Sequence, residues 1–308
     1  MNIGQRILNC FKQAYPKALK TAWWMIRIML PVSLGVMLLQ YFGVLQYISE
    51  YLTPIFKYIG LRGECALVYI TSVLLNIYAA IAVIGTLSLD LREITILAVM
   101  CLIAHNMIVE TAIQNKTGSS VTRIILIRII CSFAGAFLLN WLLPKTTTTS
   151  IFSSGSVHYN GIFDVLKYWG TTSFWVSFKV ILIVTGLLFV QKILDEFGAM
   201  DKLSALFKPF MAPMGLSSKI SFDWIIANTI GLTYGSAIMI EQVETGKLSL
   251  KDANFLNHHI AVSHSLLEDT LLFFSIGVSL SWLLWPRICI AIAVVWLYRL
   301  EKHYFQKK

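Results

Sequence analysis

S-H-S-L-L-E-D-T, Ser263–Thr270, lies in the middle of a long hydrophobic stretch and carries one histidine and two adjacent carboxylates. A charged side chain at bilayer depth costs at least about 2.5 kcal/mol on insertion scales, so such groups face a cavity or one another. The pattern occurs twice. A-H-N-M-I-V-E-T, Ala104–Thr111, aligns with it at an offset of 159, which sets His105 on His264, Glu110 on Asp269 and Thr111 on Thr270. Upstream, Leu87–Leu89 and Leu248–Leu250 are both L-S-L, and Tyr78–Ile84 resembles Tyr234–Ile240. Further back, Ile59-Gly60-Leu61 matches Met214-Gly215-Leu216, and Trp24 with Arg27 matches Trp175 with Lys179. Landmarks in one order along half a chain are the signature of an internal repeat.

Composition sets the solvent in which this repeat folds. Of the 308 residues, 57% are hydrophobic and 13% charged, with a mean hydropathy of +0.71. A soluble domain carries about 25% charged residues. Ala22–Phe42, Ile124–Leu143, Ser173–Val190 and Leu280–Leu300 are apolar windows, each long enough to cross a hydrocarbon core of about 30 Å. The chain reads as an all-α polytopic membrane protein whose immediate partner is the lipid bilayer. The formal charge of +9 fits cytoplasmic Lys and Arg. Nucleic acid is not expected, because no basic patch is interleaved with aromatics. Cys10, Cys65, Cys101, Cys131 and Cys289 are scattered without a C-x-x-C and read as buried thiols. The first apolar run is too long for a signal-peptide core and carries Arg27. Before it, Ile3, Ile7, Phe11 and Tyr15 recur every fourth residue among Arg6, Lys12, Lys17 and Lys20. This spacing predicts an amphipathic basic helix lying on an anionic membrane surface.

The repeat divides the chain into 1–145, a polar linker over 146–167, and 168–308. Each half contains a long helix (18–43 and 170–193), a short interfacial helix (46–59 and 200–212) and an interrupted apolar segment (64–86 and 220–240). A helix bearing the His–acid motif (91–114 and 252–275) and a last long helix (122–143 and 279–300) complete it. By length the interrupted segments either cross or dip in and return. If they return, each half crosses three times and the second half is inverted. Lys116, Arg123, Lys192, Lys202, Lys208, Lys219, Lys247 and Lys251 then share the side of the basic termini. The positive-inside rule prefers this arrangement of two inverted repeats with re-entrant hairpins, N- and C-termini cytoplasmic.

His264 and Glu268 are four apart, so an unbroken helix sets them on one face. Asp269 points about 100° away, toward the other repeat. Asn106 and Glu110 form the corresponding pair, and unwinding near His105 would gather all three. Three readings follow. The motifs bind a small polar solute and a coupling proton, or His105, Glu110, His264, Glu268 and Asp269 hold a divalent metal ion, or the His–acid groups only fasten helices. Asn76, Tyr78, Asn228, Thr233 and Tyr234 lie at the tips of the interrupted segments, where they would hydrogen-bond a solute. There is no H-E-x-x-H, phosphate-binding loop or G-x-S-x-G, and neither an enzyme nor an organic cofactor is expected.

The Gly-Leu turns at Gly60-Leu61 and Gly215-Leu216, the interrupted segments, and the H-N-x-x-x-E and H-S-x-x-E-D helices resemble the nucleoside-recognition, or gate, domain family. Its domain occurs in concentrative nucleoside transporters, in the membrane part of ferrous iron permeases and in spore-maturation proteins. The resemblance implies two tandem gate domains in a bacterial cytoplasmic membrane, hairpin-like elements, a central solute site and a homodimer. The sequence shows neither the GTPase domain of the iron permeases nor the hairpin pattern of the nucleoside transporters, so the solute stays open.

Overall fold

A computed structural model describes residues 2–145, 161–229 and 231–305. Inside its helices some side chains are not described, those of residues 232–237 among them. The chain is 81% helical with no strand among the described residues, which establishes an all-α architecture. The Thr/Ser-rich part of the expected linker, Thr146–Ser156, lies outside the described residues.

The long outer helices are α1 (Ile3–Tyr41) and α8 (Ile162–Glu196), which pack along one another. They run antiparallel. Arg6 pairs with Glu196 at 2.9 Å at one end, and Trp169 donates to the Ser33 hydroxyl at 3.0 Å toward the other. This corrects two expectations. The basic N-terminal segment is no separate surface helix but the first part of α1, continuous through Pro16. Its buried face is Cys10, Ala14 and Ala18, while Ile3, Ile7, Phe11 and Tyr15 remain exposed, Phe11 meeting Phe189 edge-on at 5.4 Å. The linker also ends sooner than 167, because α8 already begins at Ile162.

After each outer helix comes a short amphipathic helix, α2 (Val44–Lys57) or α9 (Ala199–Met211). The Gly-Leu turns follow. Gly60 and Gly215 have φ of +73° and +76°, which disfavours any side chain there. A Cβ on Gly60 would also collide with the Asn140 amide, and one on Gly215 would lie 2.8 Å from Val295.

The interrupted segments are helix pairs, α3 (Cys65–Leu74) with α4 (Ile77–Ile84), and α10 (Ser221–Thr229) with α11 (Leu232–Glu244). At 1.5 Å per residue a ten-residue helix spans about 15 Å, half a hydrocarbon core. Asn76 makes the first break. It is extended, and its side-chain oxygen caps α4 by accepting from the Ala79 amide at 2.9 Å.

The motif helices are broken as well. α5 (Leu91–Ala104) gives way to α6 (Met107–Lys116), and α12 (Leu250–Ser263) to α13 (Glu268–Phe274). The closing helices are α7 (Val121–Leu142) and α14 (Leu280–Phe305). Leu91–Lys116, Val121–Leu142, Ile162–Leu194 and Leu280–Tyr304 are long and apolar enough to cross a membrane. The other two expected crossings are α1 and the more charged α12–α13. Two apolar cores form, one around α3–α5 and α7, the other around α9–α12 and α14. Cys10, Cys65, Cys101 and Cys131 are buried as expected, whereas Cys289 is exposed.

Candidate functional site

The two motif helices break at equivalent residues. His105 and His264 end α5 and α12 with extended ψ of 161° and 160°. The next residues, Asn106 and Ser265, have φ of +48° and +52° and are the only positive-φ non-glycines among the described residues. An αL residue turns the chain and restarts the helix in a new direction. The freed amides are satisfied by the interrupted segments. Asn106 N–H donates to Ser72 O at 2.9 Å, Ser265 N–H to Ala227 O at 3.1 Å, and Leu267 N–H to Asn228 O at 3.0 Å. Each half thus joins two broken elements back to back, which meets the requirement that backbone at depth be paired within the protein.

The breaks bring the two histidines together. His105 Nε2 and His264 Nε2 are 3.3 Å apart, and both rings are buried. Glu110 spans them, with Oε1 3.2 Å from His105 Nε2 and Oε2 3.0 Å from His264 Nε2. Asp269 Oδ2 lies 3.2 Å from His105 Nε2. The acids therefore serve the opposite repeat as well as their own. Asn257 of α12 meets Gln114 of α6, and Asn254 meets Ser119. Residue numbers rise along α6 as they fall along α12, so the two broken helices run antiparallel.

The rings' other nitrogens fix their tautomers. His105 Nδ1 is 3.0 Å from Cys101 O and His264 Nδ1 is 2.7 Å from Ile260 O. A carbonyl only accepts, so both Nδ1 atoms carry the hydrogen, assigned here from the partners. In the neutral rings both Nε2 atoms are then bare lone pairs. They point at each other and at carboxylate oxygens.

Two arginines back this cluster, and the sequence reading missed both. Arg128 Nε donates to Ile103 O at 2.9 Å, and its Nη2 donates to His105 O and pairs with Glu110 at 2.7 Å. Arg287 Nε donates to Val262 O at 3.4 Å, its Nη2 to His264 O, and its Nη1 to Thr270 Oγ1 at 3.2 Å. Each fully buried guanidinium covers carbonyls that a helix end leaves without partners. The signal was present, since Arg128 and Arg287 are also 159 apart. Both sit inside windows that read as simply apolar.

One expectation is overturned. His264 and Glu268 do not share a helical face, because the break at Ser265 lies between them. The partner of His264 is Glu110, while Glu268 Oε1 accepts from the Tyr78 hydroxyl at 3.0 Å. Asn106 contributes its backbone turn and makes no side-chain cap. Asn76 is spent on capping α4. Asn228 is buried, donates to Trp224 O at 2.8 Å and leaves its Oδ1 without a partner. The side chains of Thr233 and Tyr234 lie outside the described residues.

A family profile described as nucleoside recognition (Gate) matches residues 22–123 and 177–300. The chain belongs to the Gate family. Each match holds one interrupted helix pair and one broken His helix, so the duplication seen in the geometry follows the family's unit. The chain is also similar to a protein of Bacillus subtilis (strain 168) named as the uncharacterized membrane protein YvoD. The two are 29% identical over 276 residues, 89% of this chain and 87% of the relative. No solved structure matches. A multi-pass membrane protein of the Gate family is the identity that composition, fold and comparisons share.

Proposed function

We propose that this Gate protein is a membrane transporter of a small polar solute, nucleoside-like or a small organic molecule. The solute is held between two inverted repeats, and a cation at the His–acid cluster couples to its movement. The observation that carries this reading is the convergence of acceptors. Two bare Nε2 lone pairs and the oxygens of Glu110 and Asp269 meet within 3.0–3.3 Å contacts. Acceptors so placed repel one another unless a cation lies among them. Charge points the same way. Glu110 is paired with Arg128 at 2.7 Å, and the buried Asp269 Oδ2 has no hydrogen-bond partner, which leaves a carboxylate to neutralise. A proton or a metal ion does so.

Glu268 and Tyr78, with Asn228 nearby in the backbone pairing, are the groups left for a solute. The antiparallel course of α6 and α12 supports the inverted arrangement. The lysine distribution supports a bacterial cytoplasmic membrane with both termini inside, and we take the protein to be a homodimer and not an enzyme.

The test replaces His264 by Gln, which keeps a hydrogen-bonding side chain and leaves the Arg128–Glu110 pair in place. We expect the variant to fold but to lose the pH-dependent stabilisation that a binding solute, found by thermal-shift screening of nucleosides and small organic acids, gives the wild type. Retained solute binding with unchanged pH dependence would sink the proposal. For topology, Ser249→Cys should react with an impermeant thiol reagent from the cytoplasm and Ser88→Cys from outside. Labelling of both from one side would rule out inversion.

A further inference from the structure

We infer that the cation is a divalent first-row transition metal ion, ligated by His105 Nε2, His264 Nε2 and Asp269 Oδ2, with Glu110 flanking the site. This rests on the reading that the cluster binds a cation, and it names which one.

Geometry distinguishes a metal from a proton. A proton on one Nε2 serves a single contact, or two when shared. Here His105 Nε2 alone has His264 Nε2 at 3.3 Å, Asp269 Oδ2 at 3.2 Å and Glu110 Oε1 at 3.2 Å. The three ligand atoms lie within 4.8 Å of one another and all three residues are buried. Tetrahedral coordination with bonds of about 2.0–2.1 Å has edges of about 3.3–3.4 Å. The two separations from His105 Nε2, 3.3 Å to His264 Nε2 and 3.2 Å to Asp269 Oδ2, are near those edges, and the third is within 4.8 Å, so side-chain adjustments would admit an ion. Asp269 Oδ2 is buried and has no hydrogen-bond donor, as an oxygen reserved for a metal should not.

The surroundings fit as well. A metal-bound imidazole donates its other N–H to a carbonyl or carboxylate, which fixes the ring and raises its basicity. His105 and His264 do this to Cys101 O and Ile260 O. Arg128 orients Glu110 from behind at 2.7 Å. Two imidazoles and one carboxylate, with no thiolate, suit Zn²⁺, Fe²⁺, Mn²⁺ or Co²⁺ and leave a coordination position open. A divalent ion held by two neutral imidazoles and one carboxylate keeps one net positive charge, so that position favours hydroxide or an anionic group of the solute.

The decisive experiment titrates the purified, untagged, metal-stripped full-length protein with Co²⁺ alone. We expect one equivalent to bind with the visible absorption of a four- or five-coordinate nitrogen–oxygen site and no thiolate charge-transfer band. His105→Gln with His264→Gln, and separately Asp269→Asn, should weaken binding by at least about 100-fold, beyond the 10–100-fold typical of outer-shell changes. A change of His258→Asn with His259→Gln should leave the signal intact. Each variant's size-exclusion profile and helical circular dichroism must match the wild type, and Asp269→Glu, which keeps a ligand oxygen, should restore part of the signal. Absence of Co²⁺ binding by folded wild type, or equal binding by the double variant, overturns the metal. If the solute effect still depends on pH and on His264, the cluster is a proton site and the functional proposal stands. If the double variant changes neither metal nor solute binding, the cation reading itself falls.

Discussion

The helices α5 and α12 occupy equivalent places and are built from opposite materials. Both end on a histidine, both are followed by an αL residue, and both have their last carbonyls covered by an arginine. Yet α5 presents Ala98, Val99, Met100 and Ala104 where α12 presents Asn257, His258, His259 and Ser263. The α5 residues are fully buried in the first apolar core. The α12 residues are equally buried but form a polar stripe. Asn257 exchanges hydrogen bonds with Gln114 and also donates to Thr117 Oγ1 at 2.8 Å and Ser119 Oγ at 2.9 Å. His259 accepts from Trp224 at 3.2 Å, and His258 stacks on Tyr298 at 3.8 Å. Duplication has kept the break that makes the site and released the faces around it. Polar side chains consequently run from the cluster toward the end where α6 stops and α12 starts, while the α5 side is apolar.

The largest effects should come from the feature the halves share. Arg128→Leu removes the ion pair to Glu110 and the cover of α5's last carbonyls. Stripping one member of a buried pair costs about 3–5 kcal/mol. Arg287→Leu should cost less, because its direct hydrogen-bond partners are the Thr270 hydroxyl and two carbonyls, with no carboxylate among them. Thermal unfolding in detergent reads both, and a greater loss for Arg287 would overturn this order.

Asn257→Leu probes the difference between the halves. It removes the donor to Gln114 O, Thr117 Oγ1 and Ser119 Oγ and should cost about 1–3 kcal/mol. The reverse exchange, Ala98→Asn, buries an amide among hydrocarbons and should cost a similar amount by the opposite mechanism. A neutral outcome for either would mean that the two faces are interchangeable.

Smallest are the turns. Ser265→Gly should gain about 0.5–1 kcal/mol by relieving the left-handed strain, and Asn106→Gly less, since asparagine tolerates that conformation. Equal gains would argue that the two breaks are held by the same force.

Much of the fold was legible because its signals are local. Apolar length marks the crossings, and the interruption at Asn76 is written in a capping residue. The class, the helix order and the repeat follow from these. Two readings failed on contact partners. Apolar residues at every fourth place among Arg6 and the lysines suggested a separate surface helix, but the segment continues into α1 and its buried Cys10 meets Lys192 O of α8, far away in sequence. Arg128 and Arg287 were hidden by their apolar neighbours, although their spacing repeats that of the histidines.

The sequence by itself determined that this is a helical membrane protein built twice, with a His–acid motif in each copy. Composition, periodicity and repetition are properties of the chain and need no folding to be read. Which acid meets which histidine was decided by the tertiary structure alone. A single αL residue at Ser265 turns Glu268 away from His264, and the antiparallel meeting of α6 with α12 supplies Glu110 instead. Helical spacing predicts neighbours only while the helix continues, and at this site both helices stop.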